Sequence, residues 1–133
     1  MQNDNLKIKI INSKKAPAAI GPYSQALIVD KLIFCSGQIG IDPKTSNLVQ
    51  GIENQTKQIL ENLKNILEEA GSSLDKVIKT TIFLTNINDF QKVNEIYGQY
   101  FSFHKPARST VCVASLPKGA LIEIEAIALR EKF

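Results

Sequence analysis

The sequence has no tryptophan, one histidine and two cysteines among its 133 residues, and each shortage removes a class of protein. Cys35 and Cys112 lie far apart, each inside an apolar run, with no CxxC spacing and only His104 as an imidazole ligand, which argues against zinc. Both read as buried free thiols, so a reducing compartment fits and a disulfide scaffold does not. His104, beside Lys105 and Pro106, reads as a solvated loop histidine, and any histidine-based acid/base site would rest on it alone. The dinucleotide fingerprint, the P-loop lysine motif, HExxH and the nucleophile elbow are all missing. Sixteen Lys and Arg against thirteen Asp and Glu leave a formal charge of +3, too weak to imply nucleic-acid binding without a concentrated basic face. No stretch approaches the roughly 20 apolar residues of a membrane span. The N-terminus, MQNDNLKIKI, lacks both the apolar core of a secretion signal and the Arg-rich pattern of a transit peptide. The chain is therefore expected in the cytoplasm, without membrane contact.

What is present is ordinary globular material. With 44% hydrophobic and 22% charged residues, the chain is expected to form a single domain over residues 1–133. Charged and apolar residues alternate from Lys7 to Ile11, predicting a half-buried strand. Two apolar runs, Ala26 to Val29 and Leu32 to Cys35, flank Asp30-Lys31 and predict a hairpin. A loop from Gly40 to Gly51 then breaks the sheet pattern. From about Ile52 to Ala70, apolar residues share one helical stripe, and Gly71 supplies the stop. Val77 to Leu84 is β-branched and strand-like, and a second helix begins near Asn88, carrying Phe90, Val93, Asn94, Tyr97 and Phe101 inward. Strands at about Ser109 to Ala114 and Leu121 to Leu129 finish the chain. The order β-β-β-α-β-α-β-β predicts an α+β fold, with a mixed six-stranded sheet and two helices on one face.

The uncovered face of that sheet carries the functional argument. In the last strand Ile122, Ile124, Ala126 and Ala128 fit under helices, which leaves Glu123, Glu125 and Ile127 on the other side. A simple hairpin at Pro117-Lys118-Gly119 would put Arg108, Thr110 and Cys112 on the same side as Glu123, with Arg108 about one pleat away. A bare face mixing apolar and acidic residues points to an oligomer interface holding a polar pocket. A forked guanidinium suits a carboxylate, and a neighbouring glutamate can orient a water or carry protons. An Arg-Glu ion pair tying subunits together fits the same spacing equally well.

The residues also resemble a known family, the reactive intermediate deaminases (RidA/YjgF), also called 2-iminobutanoate/2-iminopropanoate deaminases. The likeness runs nearly end to end, through APAAIGPYSQA from Ala16, CSGQIGIDPKT from Cys35, Gln55-Thr56 and AGSSLDKVIKTTIFL from Ala70. It continues in NDFQKVNEIYGQYF from Asn88, PARSTV from Pro106 and LPKGALIEIEAIAL from Leu116. The resemblance implies a chorismate-mutase-like homotrimer with sites between subunits and no metal or organic cofactor. It implies that Arg108 clamps the carboxylate of a 2-imino acid substrate, that Glu123 serves the catalytic water, and that Tyr23, Ser36 and Asn94 line the pocket. On spacing alone, Tyr23 could equally anchor a loop, Ser36 satisfy a backbone group and Asn94 bridge helix to loop. Many relatives have Cys where this chain has Thr110, so that position is read as pocket lining that contributes mainly its backbone. Two other functions attach to the resemblance. One is an endoribonuclease or translation inhibitor, which the lack of a basic aromatic stripe and of a histidine pair disfavours. The other is a non-catalytic trimer that binds small carboxylates or acts as a chaperone.

Overall fold

The computed structural model describes residues 7–130; residues 1–6, on which part of the reading of the N-terminus rests, lie outside the described residues. The elements are β1 (Ile8–Ile11), β2 (Ala26–Val29), β3 (Leu32–Ile39), β4 (Ile41–Asp42), β5 (Asn47–Leu48), α1 (Ile52–Glu69), β6 (Val77–Leu84), α2 (Phe90–Tyr100), β7 (Ala107–Cys112) and β8 (Ile122–Leu129). Six strands form one mixed sheet in the order β1-β2-β3-β8-β6-β7, while β4 and β5 make a small separate hairpin inside the expected loop. All neighbours in the large sheet are antiparallel except β6 and β7.

Both helices cover one face, as the apolar stripes require. Ile59, Leu60, Leu63, Ile66 and Leu67 of α1 are fully buried against Ile33, Ile82, Ile122 and Ile124 of the sheet. Each such aliphatic side chain contributes about 1.5–3 kcal/mol on leaving water. Gly71 ends α1 with φ 80°, a conformation that costs glycine no Cβ clash. The β2–β3 hairpin turns at Asp30-Lys31 as expected, with Asp30 at φ 55°. β3 runs four residues beyond its expected end, because a bulge between Cys35 and Gln38 lets the strand pair with β8 again after an irregular step.

The expected β7–β8 hairpin does not form. β8 inserts between β3 and β6, and β7 lies outside β6 and parallel to it. The composition explains the exchange. The helix-facing side of β8 is wholly apolar and buried, suiting a central strand, whereas β7 carries Arg108, Ser109 and Thr110 and is almost wholly exposed. Polar and charged residues, with Pro106 just before them, are typical of an edge that must not recruit further strands.

Candidate functional site

Parallel pairing turns β7 over relative to the expectation. Arg108 sits beside Thr80, Thr110 beside Ile82 and Cys112 beside Leu84, so all three share the face of the buried, helix-covered residues. Glu123 pairs with Phe83 and Ile39 on the opposite face. Arg108 and Glu123 of one chain are therefore separated by the sheet itself, and neither one site nor an ion pair joins them within the chain.

Each belongs to its own half-site. In the first, α2 places Phe90, Asn94 and Tyr97 on one stripe above β7. Arg108 donates from Nη1 to Asn94 Oδ1 at 2.8 Å, and its guanidinium carbon lies 5.6 Å from the Phe90 ring centroid and 5.0 Å from that of Tyr97. Tyr97 is fixed in turn by a 2.6 Å hydroxyl contact with Thr80. Burial pushes the Tyr97 phenol up, against the opposing pull of the Thr80 bond and the Arg108 charge. Arg108 stays exposed, and a shallow hollow lined by Gly98, Ser102 and Lys105 adjoins it. The result is an oriented cation ready for an anion. The Thr110 hydroxyl is buried on the same strand and has no hydrogen-bond partner among the described residues.

The second half-site surrounds the bulge of β3. Ser36 donates from Oγ to the Ser24 carbonyl at 2.6 Å, and its N–H reaches the Gln25 carbonyl at 2.9 Å. Buried Gln25 accepts from the Ser13 N–H and donates to the carbonyls of Ser13 and Pro17, which pins the segment leading to Tyr23. Tyr23, 53% exposed, lines an open cleft of about 670 Å³ together with Ser36, Gly37 and Glu123. A Cβ on Gly37 would run into the Glu123 carboxylate, so only glycine leaves that carboxylate its place. Burial, and then the charge of neighbouring Glu125, push the Glu123 carboxyl above its ordinary value. A desolvated carboxyl of that kind suits proton exchange with a bound water.

The structure thus gathers Asn94 with Arg108, and Tyr23 and Ser36 with Glu123, but not the two groups with each other. Sequence reading missed Gly37, and it took Phe90 and Tyr97 for core residues alone, although their helical spacing with Asn94 already put all three on one face. Two further expectations are corrected. Cys112 is exposed, because its apolar run lies on an edge strand, while Cys35 is buried and its thiol is pushed up to about 12 by that burial. His104 is not a solvated loop residue: its Nε2 contacts the Val77 carbonyl at 2.7 Å and its ring meets Phe101 edge-on. Among the described residues, no three His, Cys, Asp or Glu side chains form a group that could hold a metal, and no helix is long and apolar enough to cross a membrane.

Fold and site together define an α+β protein that presents an oriented arginine on one face of its sheet and a desolvated glutamate on the other. Known proteins are similar to this chain in sequence and in fold. The family model described as Endoribonuclease L-PSP matches residues 13–130, and the chain belongs to that family, the reactive intermediate deaminases. It is 53% identical over 123 residues to a human protein named 2-iminobutanoate/2-iminopropanoate deaminase, covering 92% of this chain and 90% of the relative. A Yersinia pestis structure, YyfA, described as a protein of unknown function of the conserved Rid protein family, superposes with a TM-score of 0.91. It shares 53% identity and covers 92% of this chain and 99% of its own. Escherichia coli TdcF, solved with bound serine, gives a TM-score of 0.89 at 45% identity, covering 92% of this chain and 99% of its own.

Proposed function

We propose that this chain is a hydrolytic deaminase. It converts reactive 2-imino acids, 2-iminopropanoate and 2-iminobutanoate, to 2-oxo acids and ammonia, as a homotrimer with each site between subunits. The observation that carries the reading is the division of the site. The Arg108 half and the Glu123 half face away from each other in one chain, which supports a pocket completed by a second copy. Exposed apolar side chains on the uncovered face, among them Ile10 at 66% exposure, Phe34 and Val111, offer the surface for that assembly. The deaminase name carried by relatives supplies the reaction, and serine bound to TdcF shows an amino acid held by a family member. The free thiols of Cys35 and Cys112 suit the cytoplasm.

In this mechanism Arg108, held by Asn94, binds the substrate carboxylate and fixes the imine carbon opposite Glu123 of another subunit. Tyr23 and Ser36 wall the pocket, and Thr110 adds backbone to its lining. A water on Glu123 gives up a proton to the carboxylate as its oxygen bonds to the imine carbon, and the C=N π electrons move to nitrogen. Glu123 then returns the proton to nitrogen, giving a neutral carbinolamine. It next takes the proton of the carbinolamine hydroxyl and passes it to the same nitrogen as the C–N bond breaks, so that ammonia leaves and the oxygen becomes the carbonyl. Water is the sole co-reactant.

Mixing two inactive variants tests the reading. Arg108→Ala and Glu123→Gln are each expected to lose imine turnover. Equal amounts, unfolded and refolded together, should regain about a quarter of wild-type sites, the share in which an intact Arg108 meets an intact Glu123 by chance. Imine decay and ammonia release after a threonine dehydratase give the readout. No recovery in mixed trimers overturns the shared site. RNA cleavage that is lost with either substitution transfers the function to a nuclease.

A further inference from the structure

Three residues other than glycine have positive φ among the described residues: Asp30 at 55°, Ser46 at 62° and Lys118 at 58°. Asp30 turns the β2–β3 hairpin, and Ser46 closes the β4–β5 turn with its N–H on the Asp42 carbonyl at 2.8 Å. Short polar side chains serve such positions well. Lys118 is different. It sits in the 3-10 turn Pro117–Gly119, followed by Gly119 at φ 70°, and its long stem gives no local compensation for the left-handed backbone. Glycine would adopt this conformation without a Cβ penalty. A costly conformation kept at an exposed position points to a use for the side chain.

Its surroundings suggest that use. Lys118 lines the cleft of Glu123 and Glu125, and among the described residues it is the cleft's sole cationic lining group. It makes no hydrogen bond or ion pair among the described residues. An anion entering this half of the site meets two carboxylates, and Arg108 is on the other half. A flexible ammonium, a point charge without a planar fork, suits attraction of an anion at a distance.

We propose that Lys118 is a second recognition cation for the substrate anion, acting from the Glu123 half of the site. The identity of the anion rests on the imino-acid reading above. The test compares the full-length wild type with Lys118→Gly, Lys118→Gln and Lys118→Arg. Lys118→Gly is expected to melt no lower than the wild type. Its KM for 2-iminobutanoate should nevertheless rise about fivefold at low ionic strength, with kcat nearly unchanged and the difference fading at high salt. Lys118→Arg should keep the wild-type KM, and Lys118→Gln should behave as Lys118→Gly.

Calorimetric titration with 2-oxobutanoate measures recognition without turnover. If the wild type binds this anion through Lys118 yet hydrolyses no imine, the deaminase reading falls and the role of Lys118 stands. If the wild type deaminates while all three variants match it in KM, salt response and affinity, Lys118 is a plain turn residue and the inference is wrong. Failure of the wild type to bind 2-oxobutanoate overturns it as well.

Discussion

Arg108 is oriented before any ligand arrives, by Asn94 at 2.8 Å and by the rings of Phe90 and Tyr97, whereas around Glu123 the hydrogen bonds of Ser36 and Gln25 hold backbone. One half-site is a preset grip. The other is a backbone frame that leaves a carboxyl partly desolvated beside Glu125. Affinity is then expected to depend on packing around Arg108, because preorganisation lowers the cost of binding. Under the proposed mechanism, reactivity is expected to depend on the space and polarity around Glu123.

The largest effect should come from Gly37→Ala. The new methyl displaces the Glu123 carboxylate, so kcat should fall by about a hundredfold, the scale of a lost general base, while the fold survives. A Gly37→Ala enzyme with normal kcat would break the comparison at its reactive half. Asn94→Ala should act on the other parameter: loss of one charge-assisted hydrogen bond should raise KM about tenfold and change kcat little. A mainly kcat effect would mean that Asn94 serves the chemistry and not the grip.

The smallest effect concerns pH. The proposed mechanism requires ionised Glu123, so the acid limb of kcat/KM should lie above the position of an ordinary glutamate. Glu125→Gln removes a repelling charge and should move that limb to lower pH, by less than the burial effect that remains. The linked stability has a definite sign. A carboxyl raised on folding contributes stability that is complete below its unfolded value and lost as pH rises through its folded value. Glu123→Gln should therefore melt above the wild type at neutral pH, with the gap closing on acidification.

Local patterns in the sequence carried the elements that depend on local patterns. The α1 stripe, the Asp30-Lys31 turn and the alternation of β8 all reappear within a residue or two of expectation. Strand partnership is not local. Nothing in PARSTV says that its neighbour is β6 running parallel, and that one fact turned Arg108 to the opposite face from Glu123. The Ser36–Gly37 bulge was hidden for the same reason, since a register step exists only between two strands. Family motifs singled out Tyr23, Ser36, Asn94, Arg108 and Glu123 as candidates. Gly37 stood out only once β3 was paired with β8, whereas Phe90 and Tyr97 were already legible in their helical spacing with Asn94.

The position of β8 has a consequence for how the molecule is made. Among the described residues this strand lies furthest along the chain from β1, yet in the large sheet it alone joins β1-β2-β3 to β6-β7. Until Ile122–Leu129 leaves the ribosome, the nascent chain holds two sheet fragments with open edges that can pair wrongly with other chains. A chain cut short before that point has no continuous sheet. Continuity of the sheet thus depends on a segment far along the chain from the strands it joins.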